Sequence, residues 1–118
     1  MDLEWHGRFS FTDEKVREVT ETDGGGNYMI LVELKNGNYR PIYVGKAENL
    51  RKRLLEHFSE NGTCLKKHIE KYTLGMRFCY VGAEGDRKDV EHTLYHKYSH
   101  ECNEKEPEGK IIEITPPY

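Results

Sequence analysis

The sequence has few cysteines and no long apolar run. Cys64, Cys79 and Cys102 are odd in number and lack the close spacing of zinc clusters, so we interpret them as reduced residues that mostly serve packing. No apolar stretch is long enough to span a bilayer, and residues 1–4 are acidic, which is unlike the start of a signal peptide. We therefore expect an intracellular, cytoplasmic protein that does not associate with membranes.

The chain also lacks an excess of positive charge. Its net charge of −3 argues against indiscriminate binding to nucleic acid. The charge is unevenly distributed, because residues 46–77 contain eight basic and four acidic side chains, whereas residues 1–23 contain three basic and seven acidic ones. A positive middle segment can follow a phosphate backbone. Four basic residues of this segment are candidate nucleic-acid contacts: Arg51, Lys52, Lys66 and Lys67. For each of them, an ordinary solvated surface position is an equally good interpretation.

There is little room for a second domain. A chain of 118 residues, of which 36% are hydrophobic and 33% charged, is long enough to bury one modest core. We expect a single domain with its core at about 24–103 and with 1–23 and 104–118 as extensions. The first extension is a candidate edge strand or partner contact, and residues 111–114 are a candidate strand near the C-terminal end.

Residues 28–44 predict a β-hairpin. Residues 28–34 are apolar and rich in strand formers, and the Asn36-Gly37 step that follows favours a tight turn. The returning strand ends at Gly45, since glycine readily takes a sharp turn from strand to helix. A pairing symmetric about the turn would bring Tyr28 to the Gly45 end, near Tyr43. From the strand pattern alone, however, packing of the sheet is the stronger interpretation of both tyrosines.

An amphipathic helix is predicted directly after the hairpin, at 49–58. Leu50 and Leu54 recur there at helical spacing. Arg53 and His57 lie three and seven residues after Leu50, which places both on or beside the apolar stripe. A charge directed toward a core needs a partner or a ligand, so both residues are candidates for a functional site.

A second helix, from Asp86 to about His100, carries an acidic residue on its packed face. Glu91 shares that face with Leu94 and Tyr95. A carboxylate among apolar neighbours is costly unless it is paired, protonated or bound to a cation. The helix spacing leaves two interpretations open, a metal ligand or an ion pair with a nearby base such as Lys46 or Arg53.

Three histidines follow one another at four-residue spacing on the same helix, at His92, His96 and His100. Two of them could bind zinc. No cysteine or carboxylate completes a recognisable ligand set in the sequence, and these positions flank the face of Glu91. We therefore expect a solvated histidine face outside the active site.

Taken in order, these residues resemble the GIY-YIG endonuclease family. The two motifs of the family and its downstream arginine, glutamate and asparagine correspond here to Gly26-Asn27-Tyr28, Tyr43-Val44-Gly45, Arg53, Glu91 and Asn103. Within that family, Lys46-Ala47 is most similar to the N-terminal nuclease domain of excinuclease C proteins. Asn27 and Val44 replace isoleucines of the two motifs. Ala47 stands where many relatives have a serine or threonine that could cap the next helix, and we expect its absence to weaken the helix start by about 1 kcal/mol.

The resemblance implies a fold and an activity. The implied fold is α+β, with a small, mainly antiparallel sheet of about three strands flanked by about three helices. The implied activity is metal-dependent endonuclease cleavage of DNA phosphodiester bonds with Mg²⁺ or Mn²⁺, in repair or recombination. Because the chain has no room for a separate DNA-reading domain, a protein partner that supplies specificity stays open.

The resemblance also implies roles for individual residues. Tyr43 would act as general base or orient the attacking water, Arg53 would bind the phosphate, and Glu91 would hold the metal. Tyr28 would hydrogen-bond the phosphate or the water. Three further residues are expected to support this group: Lys46, His57 and Asn103. Two alternatives remain, a catalytically silent nucleic-acid- or protein-binding module on the same scaffold, and a metal-sensing or structural domain that uses the histidines.

Overall fold

The computed structural model describes residues 2–22, 24–82, 86–98, 100–103 and 105–117. Its elements follow one another in the order β1 (His6–Ser10), α1 (Asp13–Val19), β2 (Gly26–Glu33), β3 (Tyr39–Ala47), α2 (Leu50–Glu56), a 3₁₀ turn (His57–Ser59), α3 (Cys64–Lys71), β4 (Met76–Val81) and α4 (Arg87–Lys97). The strands form one antiparallel sheet in the order β1-β4-β2-β3. The predicted α+β class is confirmed, with four strands instead of three because residues 6–10 pair with β4.

The predicted hairpin of β2 and β3 forms, but a β-bulge shifts its register between Ile30 and Leu31, and β3 continues to Ala47 instead of ending at Gly45 as predicted. Gly37 takes a left-handed φ of +84° in the turn, and Tyr28 lies opposite Gly45. A Cβ atom on Gly45 would lie 2.5 Å from the phenolic oxygen of Tyr28. Glycine is therefore required at 45 because the Tyr28 side chain crosses the backbone there.

Strand β2 is buried on both faces, which explains why its sequence is apolar throughout instead of alternating. Tyr28 and Ile30 face one layer, where α1, α2 and α3 contribute residues such as Leu54. Met29 and Leu31 face the other layer, which contains the buried residues of α4. The sheet thus separates α2 from α4, and β3 forms the edge that both helices flank.

The start of α2 compensates for Ala47. Asn49 occupies the N-cap position, and its side-chain oxygen accepts a hydrogen bond of 3.0 Å from the backbone N–H of Lys52. An asparagine cap is as effective as the serine or threonine of relatives. The prediction that Ala47 weakens this helix start is therefore wrong, since the capping residue is Asn49, two residues farther along the chain.

The interpretation of all three cysteines as reduced is also wrong. Cys64, at the start of α3, forms a disulfide with Cys102, 38 residues later, whereas Cys79 is a buried free thiol in β4. The disulfide attaches the residues around 102 to α3. Sequence spacing did not indicate this pair because the fold, and not local spacing, brings the two sulfurs together.

The C-terminal residues differ from the expected strand. Residues 111–114 are irregular and lie along α4, where the backbone N–H of Ile112 donates to the Thr93 hydroxyl at 3.0 Å. Helix α4 ends at Lys97, three residues earlier than predicted. Within the part of the chain that the structure describes, no helix combines the length and the apolarity needed to cross a bilayer.

Candidate active site

A cavity of about 380 Å³ opens at the edge of β3, between α2 and α4. It is lined by residues from β3, α2, the start of α3, α4 and the segment after α4. Five of the residues singled out in the sequence line it: Tyr43, Arg53, His57, Glu91 and Asn103. Residues distant in sequence therefore converge, because β3 is an edge strand that two helices flank from opposite faces.

Tyr28 lies behind this cavity and Tyr43 lies at its wall. Tyr28 is fully buried, and its ring stacks on that of Tyr43 with centroids 6.0 Å apart. The phenolic oxygen of Tyr28 lies 2.7 Å from Nε2 of His57. Burial, reinforced by the neighbouring Tyr43, raises the pKa of Tyr28 well above its ordinary value, so that Tyr28 is a protonated phenol.

His57 and Arg53 share one carboxylate. Oε1 of Glu60 lies 2.8 Å from Nδ1 of His57, and Oε2 accepts a hydrogen bond of 3.0 Å from Arg53. Burial, together with the charge of Arg53, lowers the pKa of His57 to about 4, so the imidazole is neutral at pH 7. The hydrogen bonds then assign the proton to Nδ1, which donates to Glu60, and leave Nε2 to accept from Tyr28.

Glu60 was not among the predicted site residues. It lies seven residues after Arg53 and three after His57, which are spacings that place side chains on the same side of a helix. That spacing was the available signal. By holding a guanidinium and an imidazole at once, Glu60 fixes the orientation of both groups at the cavity wall.

Glu91 lies on α4 across the cavity from Arg53. Its side chain is only 13% exposed, and Oε1 lies 3.4 Å from Nζ of Lys46. Burial raises the pKa of Glu91, while Lys46 acts in the opposite direction. The structure thus contains the ion pair that the sequence left open, and it also places a carboxylate in a cavity where Mg²⁺ could complete its shell with water and phosphate oxygens.

Asn103 pairs with the backbone of β3. Its Oδ1 accepts a hydrogen bond of 2.9 Å from the Val44 N–H, and its Nδ2 donates one of 2.9 Å to the Val44 carbonyl. The adjacent Cys102 N–H donates to the carbonyl of Ile42 at 3.0 Å. Asn103 therefore holds the segment after α4 against the strand that carries Tyr43, and its predicted role near the metal stays a prediction.

Asn27, which replaces an isoleucine of the first motif, connects the hairpin to α4. Its side chain is fully buried, and its Nδ2 donates to the carbonyl of Arg87 at 2.9 Å. Arg87 begins α4, one turn before Glu91. The substitution therefore fixes the start of the helix that carries the candidate metal ligand.

Of the four candidate nucleic-acid contacts, two are bonded to backbone carbonyls of the chain itself and two are exposed. The guanidinium of Arg51 donates to the carbonyls of Arg17 and Thr20, and Nζ of Lys66 donates to the carbonyl of Phe58. Lys52 and Lys67 are exposed. A basic residue that the sequence did not single out, Lys105, lines the cavity itself.

The buried His57 makes stability depend on pH. The charged and titratable groups around it are Tyr28, Arg53, Glu60 and Glu56. The unfolded chain protonates this histidine near pH 6.5 and the folded chain only near 4, so between these values the unfolded state binds more protons. We expect the free energy of unfolding to fall by about 3 kcal/mol from pH 7 to 4 on this account.

Urea unfolding at several pH values measures this effect. The His57→Gln protein should show a flatter profile between about pH 6.5 and 5.5, above the range in which the lowered pKa of Glu60 changes the stability. Equal slopes for both proteins in that window would contradict the assignment of His57 as a buried neutral base.

Comparison with known proteins identifies the family of the chain. A sequence profile of the GIY-YIG catalytic domain matches residues 25–113. The chain is similar to the solved GIY-YIG N-terminal endonuclease domain of UvrC from Thermotoga maritima, whose structure contains its catalytic divalent cation, magnesium. The sequence identity is 25% and the TM-score is 0.53, and the match covers 76% of this chain and 97% of that domain. A point mutant of the same Thermotoga maritima domain, bound to its catalytic divalent cation, has 23% identity, a TM-score of 0.54 and coverage of 78% and 98%. No curated protein sequence matches the chain. The chain belongs to the GIY-YIG endonuclease family, and the matched region is the catalytic domain of that family.

Proposed function

We propose that the protein hydrolyses phosphodiester bonds of DNA, with Mg²⁺ or Mn²⁺ held at Glu91. One observation carries this proposal: Tyr43, Arg53 and Glu91, from three separate elements, line one cavity. Phosphodiester hydrolysis needs an oriented water, a cation for the charge that develops on the phosphoryl oxygens, and stabilisation of the leaving oxygen. The three side chains match these three needs.

Tyr43 is the residue that orients the attacking water. Its ring is fixed by stacking on Tyr28 and by an edge contact with His57 at 5.1 Å, so its hydroxyl is held at the cavity wall. In the phenolate form, the same oxygen takes the proton of the water as general base. Tyr28, whose own proton is directed to His57, serves to position Tyr43.

Arg53 binds the phosphate. Its Nη1 lies 3.0 Å from Glu60 and 3.4 Å from Glu56, and the side chain is still 31% exposed, so the other donors of its planar fork are available for phosphoryl oxygens. Lys105 adds positive charge to the same cavity. Together they favour a polyanionic substrate in spite of the negative net charge of the chain.

Glu91 supplies the anionic oxygen that a hard divalent cation requires. In the structure Lys46 pairs with this carboxylate, and the Lys46 side chain is 44% exposed, so it can turn toward a phosphate when a cation takes its place. A cation held at Glu91 would supply Lewis acidity for the developing charge and for the leaving 3′ oxygen. A role in repair or recombination, a protein partner for specificity, and a cytoplasmic location remain predictions from the sequence.

Cleavage assays with the purified chain test the proposal. Supercoiled plasmid, linear duplex, single-stranded and branched DNA are incubated with Mg²⁺, with Mn²⁺ or with a chelator. We expect at least one DNA form to be cleaved with either cation and none in the chelator. DNA binding without cleavage of any form under all these conditions would support the catalytically silent module instead.

A further inference from the structure

The outer face of α4 carries a second group of metal-binding side chains. His92 and His96 lie one turn apart, and their ring centroids are 4.5 Å from each other. Glu106 joins them from the segment after α4, with Oε1 at 2.6 Å from Nε2 of His96. A ring nitrogen of each histidine and a carboxylate oxygen of Glu106 all lie within 4.8 Å of one another. The carboxylate that the sequence pattern lacked is thus provided by the fold.

We propose that His92, His96 and Glu106 form a binding site for Zn²⁺. Two imidazoles and one carboxylate, with a fourth position for water, are an established donor set for tetrahedral zinc. Imidazole nitrogen favours zinc and other late transition metals, whereas magnesium prefers oxygen ligands. The site therefore differs in metal preference from the all-oxygen site proposed at Glu91.

The hydrogen bonds of the free cluster already prepare it for a metal. Nδ1 of His92 lies 2.7 Å from the carbonyl oxygen of Pro107, to which it donates. This bond fixes the tautomer and leaves Nε2 as the ligating atom, which is how metal-bound histidines are commonly held. Nε2 of His96 and Oε1 of Glu106 already face each other at 2.6 Å, so one ion could replace their hydrogen bond with a bond to each of them.

The location of this cluster connects it to the cavity. Lys105 and Pro107, the neighbours of Glu106 in sequence, line the same cavity as Glu91. A metal bound by Glu106 and the two helical histidines would hold these residues against α4. The zinc site would therefore stabilise one wall of the cavity from outside without contacting the reacting phosphate.

Calorimetric titration of the whole chain with Zn²⁺ tests the proposal. Thiol reductants are omitted, so that Cys64 and Cys102 remain in their disulfide and cannot compete as ligands. We expect one equivalent of Zn²⁺ to bind to the unmodified protein. His96→Gln and Glu106→Gln should each weaken binding by at least about 10-fold, because removing even a group that only orients a metal ligand has an effect of this size. His96 and Glu106 are 42% and 57% exposed, so neither substitution should prevent folding.

The matched control is His100→Gln. This third histidine of the series bonds the carbonyl of Leu94 instead, at 3.1 Å, and its replacement should leave Zn²⁺ affinity unchanged. Zn²⁺ should raise the Tm of the unmodified protein but not of His96→Gln, and Glu91→Gln should retain Zn²⁺ binding. Any of three results would overturn the proposal. These are Zn²⁺ binding that is undiminished in His96→Gln and Glu106→Gln, loss of Zn²⁺ binding in Glu91→Gln, and Zn²⁺ binding that occurs only after the disulfide is reduced.

Discussion

Glu91→Gln is expected to abolish metal-dependent DNA cleavage without lowering the stability of the fold. Removing the carboxylate removes the anionic ligand of the cation, and a bound cation contributes several kcal/mol to the stabilisation of the transition state. Since roughly 1.4 kcal/mol corresponds to a factor of ten in rate, we expect activity to fall by at least about 1000-fold. Initial cleavage rates at saturating Mg²⁺ measure this loss.

The stability of the same variant provides an independent check. Burial raises the pKa of Glu91 above its value in the unfolded chain, so the ionised carboxylate destabilises the fold at a pH above the folded pKa. Glutamine has nearly the same shape and no charge. Thermal unfolding without metal should therefore give a Tm equal to or higher than that of the unmodified protein, and Mg²⁺ should raise the Tm of the unmodified protein only.

Glu70→Gln is the control for this substitution, because Glu70 is an exposed carboxylate on α3 outside the cavity. It should retain full activity and the response of Tm to Mg²⁺. If Glu91→Gln cleaved DNA at the rate of the Glu70→Gln control, Glu91 would not be the metal ligand, and its pairing with Lys46 would be its main role.

Tyr43→Phe is expected to lower kcat by about 100- to 10,000-fold with little change in KM. The substitution removes only the hydroxyl, and positioned proton transfer or water orientation contributes rate enhancements of this size. The ring remains stacked on Tyr28 and in contact with His57, so the fold should be preserved. A loss confined to kcat is characteristic of an interaction made in the transition state.

Tyr72→Phe is the matched control for the hydroxyl. Tyr72 lies outside the cavity at the end of α3, where its ring contacts Arg40, and its hydroxyl should not affect cleavage. Steady-state kinetics of both variants under one set of conditions give the comparison. A Tyr43→Phe protein with a normal kcat would show that another group orients the water.

The parts of the structure that could be predicted were encoded in short stretches of sequence. The hairpin followed from the Asn36-Gly37 step between two runs of strand-forming residues. The β-bulge at Ile30 and Leu31 and the continuation of β3 past Gly45 did not, because they depend on how the Tyr28 side chain packs across the backbone of Gly45. Helical spacing correctly predicted that Arg53 and Glu91 do not lie on solvated faces. That these residues share a cavity came from the resemblance to the family, since spacing within one helix says nothing about another.

What could not be predicted depends on contacts between distant residues. An edge strand within residues 1–23 was one of the open predictions and is confirmed, but its partner β4, about 70 positions away, was not predicted, and neither was the partner of Cys64, 38 residues away. Glu106 reaches His96 only because the segment after α4 turns back along that helix. Periodicity and motif order describe one element at a time, so such pairs are visible only when the elements are packed.

The position of Asn103 has a consequence for the association of copies of this chain. β3 is at the edge of the sheet, and an exposed strand edge can pair with the strand of another molecule. Asn103 and Cys102 occupy the outward backbone groups of Val44 and Ile42, so this part of the edge is already paired within the chain. The asparagine that borders the cavity therefore also blocks sheet extension between molecules at the middle of β3, around Val44.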